Sequence, residues 1–482
     1  MLSKTSFLNV FKQNLLVTPT QGQWQAMQLL SDFVNKVSSE NELFILSGYA
    51  GTGKTTLVSA LVNTLIQYKK KCVLLAPTGR AAKVFANYSS QKAYTIHKHI
   101  YRVKRKQNML TFTRRKNKFS DVIFLVDEVS MLSANSQTQD TFTRQNLLDD
   151  LIEYVYEGEH CKLLFIGDDA QLPPVHAMES PALDAEFLKQ SYNVEISQCQ
   201  LTEVIRQSLH SGVLYNATLL RKKIEEESLR FPLFSKRLFP DFNRLSGEDL
   251  EEKLNELYGK YETEEIVIIT RSNKRAYSYN REIRNRIFYR ENRVTTGDYL
   301  MVVKNNYYWI DDISEIGFIA NGDIIEILSI QAIRSLHGFT FADATIRLCD
   351  YPNSTPIDVK LILESLESEE ASLPYEQNNL LYQSVAEDYK DIASARARYM
   401  SIRNDPFLNA IQVKFAYALT CHKTQGGQWK VVLLDAGYFE ENRVDKEFLR
   451  WLYTAVTRTT EKIYLINFHD NLFGNDNEKD FE

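Results

Sequence analysis

The chain has 482 residues, of which 44% are hydrophobic and 25% charged, and its formal net charge is −5. This length suits about three domains, and this composition is ordinary for a soluble globular protein. No apolar run reaches the length of a membrane span, and residues 1–10 carry no secretory signal, so we expect a cytoplasmic protein without a membrane partner. Five scattered cysteines without a C-x-x-C pair indicate reduced thiols and no metal cluster. The small negative charge does not exclude nucleic acid, because local basic patches matter more than the sum.

The first strong pattern is the segment 48–55, which fits G-x-x-x-x-G-K-[ST] at every fixed position. An apolar run at 43–46 predicts a buried strand before it, and apolar residues at helical spacing over 57–65 predict a helix after it. These flanks favour a phosphate-binding loop over a glycine-rich turn without a ligand, because backbone N–H groups and a helix N-terminus then face one place. We predict that Lys54 reaches the β and γ phosphates of a nucleotide and that Thr55 holds Mg²⁺. The other predicted nucleotide contacts are Gly48, Ala50, Gly51, Thr52 and Gly53 in this segment and Thr56 directly after it.

Two weaker signals lie on either side of this loop. Gln23, in a helix predicted to begin near residue 20, has an amide whose donor and acceptor suit the adenine edge; a solvated glutamine is the alternative. Residues 72–76 predict another buried strand, and the loop after it lies where parallel sheets bind ligands. Thr78 and Arg80 in that loop suit a phosphate backbone, although a plain strand–helix connection is the alternative.

Residues 98–118 are the most polarised stretch, with nine basic residues and no acidic one. Apolar residues interleave with the charges, so we predict a β-hairpin with basic arms and an apolar tip at Met109 and Leu110. A basic ribbon with exposed aromatics suits a nucleic-acid backbone, and a merely solvated hairpin is the alternative. The predicted contacts on this ribbon are Arg102, Lys104 and Phe112.

Carboxylates and amides follow the next two predicted strands. The apolar run 122–126 ends in Asp127 and Glu128, which we predict to hold the Mg²⁺ shell and to orient or deprotonate the attacking water, respectively. The run 162–166 leads into Gln171, which is placed to sense a γ-phosphate, and then into a double proline that fixes the chain.

From about residue 201 the pattern restarts, and runs at 265–270, 431–434 and 462–466 predict a second α/β core. An insertion at 296–410 divides it. The short β-rich runs in its first half predict a small barrel: 299–303, 307–310, 323–328 and 344–348. The second half, 374–403, is charged and predicted to be helical. An arginine of the second core, Arg458, could face the γ-phosphate held by the first, although alone it would more often be a surface or ion-pair residue.

From Gln23 to Arg458 these segments resemble, in order and content, the motifs of superfamily 1 DNA helicases. The phrases GDDAQLPPV, CHKTQGGQW and YTAVTR are most similar to the RecD- and Dda-like branch. The resemblance implies an α/β fold with two RecA-like P-loop motor domains. It adds a small β-hairpin insertion in the first motor and an SH3-like β-barrel plus a helical insertion in the second. The implied bounds are 1–200 for motor 1 with its hairpin at 98–118, 201–295 and 411–482 for motor 2, and 296–410 for the inserted domain.

The same resemblance implies an ATP-dependent DNA helicase that moves 5′→3′ and uses Mg²⁺. Its expected partners are single-stranded DNA and duplex junctions, and a monomer is expected. Lys54, Gln171, Arg206 and Arg458 would surround the phosphates, and Gly426 would join the nucleotide site. The implied DNA contacts outside the hairpin are Pro77, Thr78, Arg80, Thr95, His97, Thr420, His422 and Lys423. Two alternatives stay open: a single-strand translocase or protein-displacing ATPase with little unwinding, and a non-motor P-loop ATPase.

Overall fold

The computed structural model describes residues 4–36, 41–106, 109–134, 146–175, 177–204, 211–226, 233–235, 237–310, 318–351, 354–437 and 444–474. For residues 4–5, 103–106 and 109–112 it describes the backbone alone. Within these ranges the chain forms two parallel α/β sheets, a closed barrel and a basic hairpin.

The first half of the chain forms the first α/β unit, which is called motor 1 below after the predicted domain. Its helices are α1 Lys4–Asn14, α2 Gln21–Asn35, α3 Lys54–Gln67, α4 Gly79–Ser89, α5 Ile96–Ile100, α6 Leu147–Tyr156 and α7 Ala185–Tyr192. Its strands are β1 Glu42–Gly48, β2 Lys71–Ala76, β3 Ala93–Thr95, β4 Tyr101–Lys106, β5 Met109–Arg114, β6 Val122–Val126, β7 Lys162–Gly167 and β8 Glu195–Leu201. A short 3-10 turn, Val129–Met131, follows β6.

Six of these strands form a parallel sheet in the order β3-β2-β6-β7-β1-β8. Successive residues of β1 point to opposite faces: Phe44 and Leu46 join one apolar core, whereas Leu43 and Ile45 join the other. Helices cover both faces, which explains the nearly continuous apolar runs in the sequence. Because β6, β7 and β1 are neighbours, the loops that follow them meet at the carboxyl edge of the sheet.

The predicted hairpin is present. Strands β4 and β5 pair antiparallel, from Tyr101 opposite Arg114 to Lys106 opposite Met109. Its turn at residues 107–108 lies outside the described residues, and so do the side chains of Lys104 and Phe112. Arg102 is exposed.

The second half of the chain forms the second α/β unit and the barrel, which are called motor 2 and its insertion below after the predicted domains. Its helices are α8 Gly212–Glu225, α9 Leu250–Tyr258, α10 Asn273–Glu282, α11 Glu364–Glu367, α12 Tyr375–Asp388, α13 Ala395–Arg403, α14 Cys421–Thr424 and α15 Lys446–Val456. Its strands are β9 Phe234–Ser235, β10 Phe242–Leu245, β11 Ile266–Thr270, β12 Tyr299–Val302, β13 Ile324–Leu336, β14 Phe339–Leu348, β15 Ile357–Ile362, β16 Ile411–Phe415, β17 Ala418–Thr420, β18 Trp429–Asp435, β19 Thr459–Ile466 and β20 Phe473–Gly474. Short helical turns lie at Thr263–Glu265, Ile283–Ile287 and Asp470–Leu472.

Motor 2 is built on a second parallel sheet in the order β10-β19-β18-β11-β17. One face packs on helices α8 and α15, where Val267 and Val432 meet Leu449. The other face shares a core with the barrel, where Ile268 and Leu433 lie in one cluster with barrel residues. The sheet therefore fixes the barrel on one side and helix α15, which leads to Arg458, on the other.

The inserted barrel is closed by β12-β13-β14-β15-β16. Its last strand, β16, begins at residue 411, just after the predicted end of the insertion, and pairs with both β12 and β15. The strand predicted at 307–310 was wrong. There the side chain of Asn306 accepts the backbone N–H groups of Tyr308 at 3.0 Å and Trp309 at 3.4 Å, so these amides are turned away from any strand partner.

The helical half of the insertion consists of α12 and α13. They pack on the barrel through an apolar cluster in which Leu381, Val385 and Ile402 meet Phe341 and Ile362. Within the described parts of the chain, no helix has the length and apolar character needed to cross a membrane. All five cysteines are free thiols.

Candidate nucleotide site and DNA-facing surface

The predicted phosphate-binding loop follows β1 and opens helix α3. It turns through Gly51 and Gly53, whose φ angles of 79° and 81° are left-handed and favour glycine. Because Gly53 precedes the helix and has no side chain to cap it, the first amides of α3 remain free for an anion. The Lys54 ammonium donates to the carbonyl of Gly48 and, at 3.0 Å, to that of Tyr49.

Threonines complete this loop. Thr52 is buried and its hydroxyl donates to the Tyr49 carbonyl at 2.8 Å, which holds the turn closed. Thr55 and Thr56 are exposed in the first turn of α3, where the hydroxyl of Thr55 is accessible to a cation. The loop therefore presents its ammonium and hydroxyl groups at the carboxyl edge of the first sheet.

Gln23 lies beside this loop and is 1% exposed, so the solvated-glutamine alternative is wrong. Its Oε1 accepts the backbone N–H of Thr20 at 3.1 Å within a capping box that begins α2. Its Nε2 donates to the Thr52 carbonyl at 3.0 Å. The side chain therefore ties the start of α2 to the phosphate-binding loop, and its contact with adenine stays a prediction.

Two carboxylates follow β6, which is separated from β1 in the sheet by β7 alone. Asp127 accepts the hydroxyl of Tyr88 at 2.6 Å and the backbone N–H of Glu128 at 2.8 Å. Burial raises the pKa of Asp127, and the Tyr88 hydrogen bond opposes this rise. Glu128 has a left-handed backbone with φ of 54°, and its Oε1 lies 3.8 Å from Arg458 of motor 2. Burial raises the pKa of Glu128 as well, and the charge of Arg458 opposes this effect.

A third carboxylate, Asp168, follows β7, and sequence reasoning did not single it out. It is 2% exposed, and its Oδ1 accepts the backbone N–H of Ala170 at 3.1 Å. Its Oδ2 lies 3.8 Å from the Lys54 ammonium and accepts the hydroxyl of Tyr453 at 2.7 Å. Gln171 in the same loop is 7% exposed, and its Oε1 has no hydrogen-bond partner among the described residues. An unpaired buried polar atom costs free energy, so a ligand group at this place would stabilise it.

Arg458 enters the cleft from motor 2. It is 4% exposed, and its Nη1 lies 3.8 Å from Glu128 Oε1. Its guanidinium also donates to the carbonyl of Thr454 at 3.0 Å, that of Gly427 at 3.4 Å and the hydroxyl of Thr457 at 3.2 Å. The side chain is therefore a buried cation held in one orientation toward a carboxylate of motor 1.

Further contacts join the motors around the same cleft. The backbone N–H of Leu172 donates to the Thr454 hydroxyl at 2.8 Å, and its carbonyl accepts the Gln425 amide at 2.7 Å. Arg221 of α8 stacks over the ring of Tyr49 at 4.5 Å. Arg206 lies outside the described residues. No local signal in the sequence distinguishes Arg221, whereas Thr454 belongs to the segment that drew attention to Arg458.

The predicted DNA contacts near α4 pack against motor 2. Thr78, which follows Pro77, caps the helix by accepting the backbone N–H of Ala81 at 3.2 Å. The Arg80 guanidinium stacks over the ring of Trp429 at 3.9 Å. Gly426 has a φ of 71°, and a Cβ there would lie 2.7 Å from Cβ of Ala81. Gly426 thus lets the loop after α14 approach helix α4 closely, and its predicted contact with the nucleotide stays a prediction.

Thr95 and His97 lie at the start of α5. The Thr95 hydroxyl caps this short helix by accepting the backbone N–H of Lys98 at 3.1 Å. The His97 ring lies between the rings of Tyr101 and Phe318, at centroid distances of 5.7 Å and 6.3 Å. Burial lowers the pKa of His97 to about 4, so the ring is neutral at pH 7. Any contact it makes with DNA is therefore uncharged.

The other predicted DNA contacts lie where β17 ends. Thr420 and Lys423 line a narrow cleft together with Asn273, Tyr277 and Lys414. Burial lowers the pKa of Lys423, and burial together with the nearby Lys423 charge lowers that of Lys414 to about 8. Two ammonium groups that face each other favour an anion between them. Burial also lowers the pKa of His422, in the same helix.

Comparison with known proteins finds similarity in both halves of the chain. A model described as an AAA domain matches residues 33–177, and a model described as a UvrD-like helicase C-terminal domain matches residues 415–466. The chain is 25% identical over 429 residues to the ATP-dependent DNA helicase Dda of Enterobacteria phage T4, covering 84% of this chain and 90% of that protein. It is 26% identical over 183 residues to the ATP-dependent RecD2 DNA helicase of Deinococcus radiodurans, covering 37% of this chain and 21% of that protein. A solved structure of the Pif1 helicase from Bacteroides with ADP-AlF3 and ssDNA aligns with a TM-score of 0.47 and 16% identity, over 95% of both chains.

An AAA domain match followed by a match to a UvrD-like helicase C-terminal domain supports a superfamily 1 helicase, the class that the motifs predicted. Within that class, the similarity to Dda and to RecD helicases supports the RecD- and Dda-like type that the motifs predicted. The fold class predicted from the resemblance is confirmed, including the hairpin of motor 1 and the closed barrel of motor 2.

Proposed function

We propose that this protein is a DNA helicase that couples ATP hydrolysis to 5′→3′ movement along single-stranded DNA and to the unwinding of duplex ahead. The observation that carries this proposal is the meeting of Glu128 of motor 1 with the buried Arg458 of motor 2, 3.8 Å apart. An ATPase whose site is divided between two domains can convert hydrolysis into a change in their separation.

The residues of the cleft fit ATP and Mg²⁺. The free amides at the start of α3 and the Lys54 ammonium suit the β and γ phosphates. Gln171 offers a buried Oε1 that has no hydrogen-bond partner among the described residues and that a bound ligand group could satisfy. Thr55 and Asp127 are the hard oxygen ligands that Mg²⁺ prefers. The metal ion, when bound, would neutralise charge that develops on the phosphate oxygens.

In the mechanism we propose, Glu128 accepts a proton from the attacking water. Its burial and raised pKa make it a stronger base than an exposed carboxylate. Arg458 stabilises the charge that develops on the transferred phosphoryl group, and its three contacts within motor 2 hold the guanidinium in place for this role. Each turnover thus depends on the position of motor 2.

The DNA strand, in this proposal, runs over the carboxyl edges of both sheets. Thr420 and Lys423 would contact its backbone in motor 2, and Pro77, Thr78 and Arg80 would do so in motor 1. The exposed Arg102 at the base of the hairpin would steady the backbone at the junction, so that the tip separates the two strands. We propose that the protein works as a monomer in the cytoplasm, where single strands and duplex junctions are its substrates.

Forked DNA tests this proposal. We expect ATP-dependent unwinding of a fork with a 5′ single-stranded tail and little unwinding of a matched fork with a 3′ tail. Glu128→Gln, which keeps the side-chain shape, should abolish the unwinding of both forks. Preference for the 3′ tail would contradict the polarity. Displacement of a bound protein from single-stranded DNA without unwinding would favour the translocase alternative, and ATP turnover insensitive to DNA would favour the non-motor ATPase.

A further inference from the structure

Tyr453, at the end of helix α15, reaches from motor 2 into the phosphate-binding loop of motor 1. Its side chain is 1% exposed. Its hydroxyl accepts the backbone N–H of Ala50 at 2.8 Å and donates to Asp168 Oδ2 at 2.7 Å. One oxygen atom of motor 2 therefore bridges two loops of motor 1, those that follow β1 and β7.

This bridge involves the groups that respond to phosphate. Ala50 lies in the loop whose amides the proposed function assigns to the nucleotide. Asp168 lies 3.8 Å from the ammonium of Lys54, the side chain assigned to the β and γ phosphates. A shift of Lys54 toward a phosphate would change the charge next to Asp168, and hence the strength of its hydrogen bond with Tyr453.

The hydroxyl of Tyr453 keeps its proton. Burial, reinforced by the Asp168 carboxylate, raises the pKa of Tyr453 well above its ordinary value. The hydroxyl is therefore protonated at neutral pH and has one donor and one free acceptor side, which is the pattern that Asp168 and Ala50 require.

A second contact from motor 2 reaches the adjacent loop residue. The guanidinium of Arg221 stacks over the Tyr49 ring at 4.5 Å, and the Tyr49 hydroxyl accepts the Gln200 amide at 2.9 Å. By contrast, the contacts of Thr454 and Gln425 with Leu172 touch a loop that carries no phosphate-binding amide of the glycine motif. Among these inter-motor hydrogen bonds, the one from Ala50 acts directly on the phosphate-binding loop.

We propose that Tyr453 is a positioning residue that couples the phosphate-binding loop to motor 2. When the cleft is closed, its hydroxyl fixes the positions of Ala50 and Asp168 relative to α15. Movement of motor 2 on DNA therefore changes the conformation of the loop that binds ATP. This inference rests on the proposed function for its role in DNA-stimulated turnover, while the bridge itself can be tested without DNA.

Tyr453→Phe tests the bridge, because it removes the hydroxyl and keeps the ring. Tyr417→Phe is the matched control: Tyr417 is also 1% exposed and donates its hydroxyl to a buried carboxylate, Asp298 at 3.0 Å. The other groups bonded to the Tyr417 hydroxyl, Arg290 and the backbone N–H of Tyr299, also belong to the second half of the chain. Hydrogen exchange of the peptide 48–55, measured without nucleotide or DNA, should accelerate in Tyr453→Phe and not in Tyr417→Phe. Equal protection of this peptide in both variants would overturn the bridge.

A second experiment measures ATP turnover of the same variants at saturating DNA concentration. We expect Tyr453→Phe to lower DNA-stimulated kcat about tenfold, the effect of losing one hydrogen bond to a charged group, and Tyr417→Phe to lower it less than about twofold. Asp168→Asn combined with Tyr453→Phe should cost no more than the larger single effect, since both break one bridge. Additive losses, or equal losses in the two tyrosine variants, would refute the coupling. A parent protein that DNA does not stimulate would instead refute the proposed function, whatever the exchange experiment shows.

Discussion

Replacing Arg458 with alanine gives the sharpest test of the two-motor nucleotide site. The guanidinium lies 3.8 Å from Glu128 and is 4% exposed. A negative charge that develops on a phosphoryl oxygen about 4 Å from this guanidinium would interact with it by roughly 4 kcal/mol at an effective dielectric constant of about 20. Loss of such an arginine in comparable NTPases lowers turnover by about a thousandfold or more, which corresponds to about 4 kcal/mol. Both routes therefore predict a loss of kcat of that order.

The assay is steady-state ATP hydrolysis with saturating single-stranded DNA, together with binding of a fluorescent nucleotide. We expect Arg458→Ala to bind the nucleotide, because Lys54 and the loop amides remain, and to lose most hydrolysis. Arg450→Ala is the matched control: Arg450 is also buried and on α15, and it contacts motor 1 through the Met178 carbonyl at 2.6 Å. Similar losses in both variants would assign the effect to docking of the motors. Hydrolysis at the parent rate in Arg458→Ala would refute the proposed cleft.

Three further predictions concern other parts of the molecule. Lys54→Ala and Glu128→Gln should each abolish ATP turnover, but only the second should still bind ATP tightly; normal turnover in either contradicts the assignment. Replacing residues 107–110 with a Gly-Ser turn should lower unwinding sharply and leave DNA-stimulated hydrolysis near the parent value; a joint loss would make the hairpin a binding or folding element. Burial and the nearby Asp350 charge raise the pKa of Asp323 from 3.8 to about 8. The folded protein therefore keeps a proton that the unfolded chain releases, and stability should fall as the pH rises from about 4 to about 8. Melting temperatures at pH 5 and pH 8.5 should differ less in Asp323→Asn than in the parent, and an equal difference would contradict this origin.

Patterns within short segments determined much of the fold and of the candidate site. The buried strands β1, β6 and β7 are continuous apolar runs, and the loop at 48–55 carries its glycines, ammonium and hydroxyl in eight successive positions. The hairpin is likewise a local pairing of neighbouring segments. Such features can be predicted because the residues that make them are adjacent in the chain and share one periodicity.

The tertiary structure alone decided which partners these residues meet. Tyr453 reaches Ala50, Arg80 stacks on Trp429, and Arg458 faces Glu128, all across hundreds of positions in sequence. Even a local prediction, the strand at 307–310, was wrong, because the Asn306 side chain accepts two backbone N–H groups of that segment. The sequence by itself determined the two motors, their phosphate-binding loop and the basic hairpin. The packing of one motor on the other decided the bridge, the stacking and the buried ion pair, because such contacts depend on the shapes and orientations of whole domains, which no periodic pattern encodes.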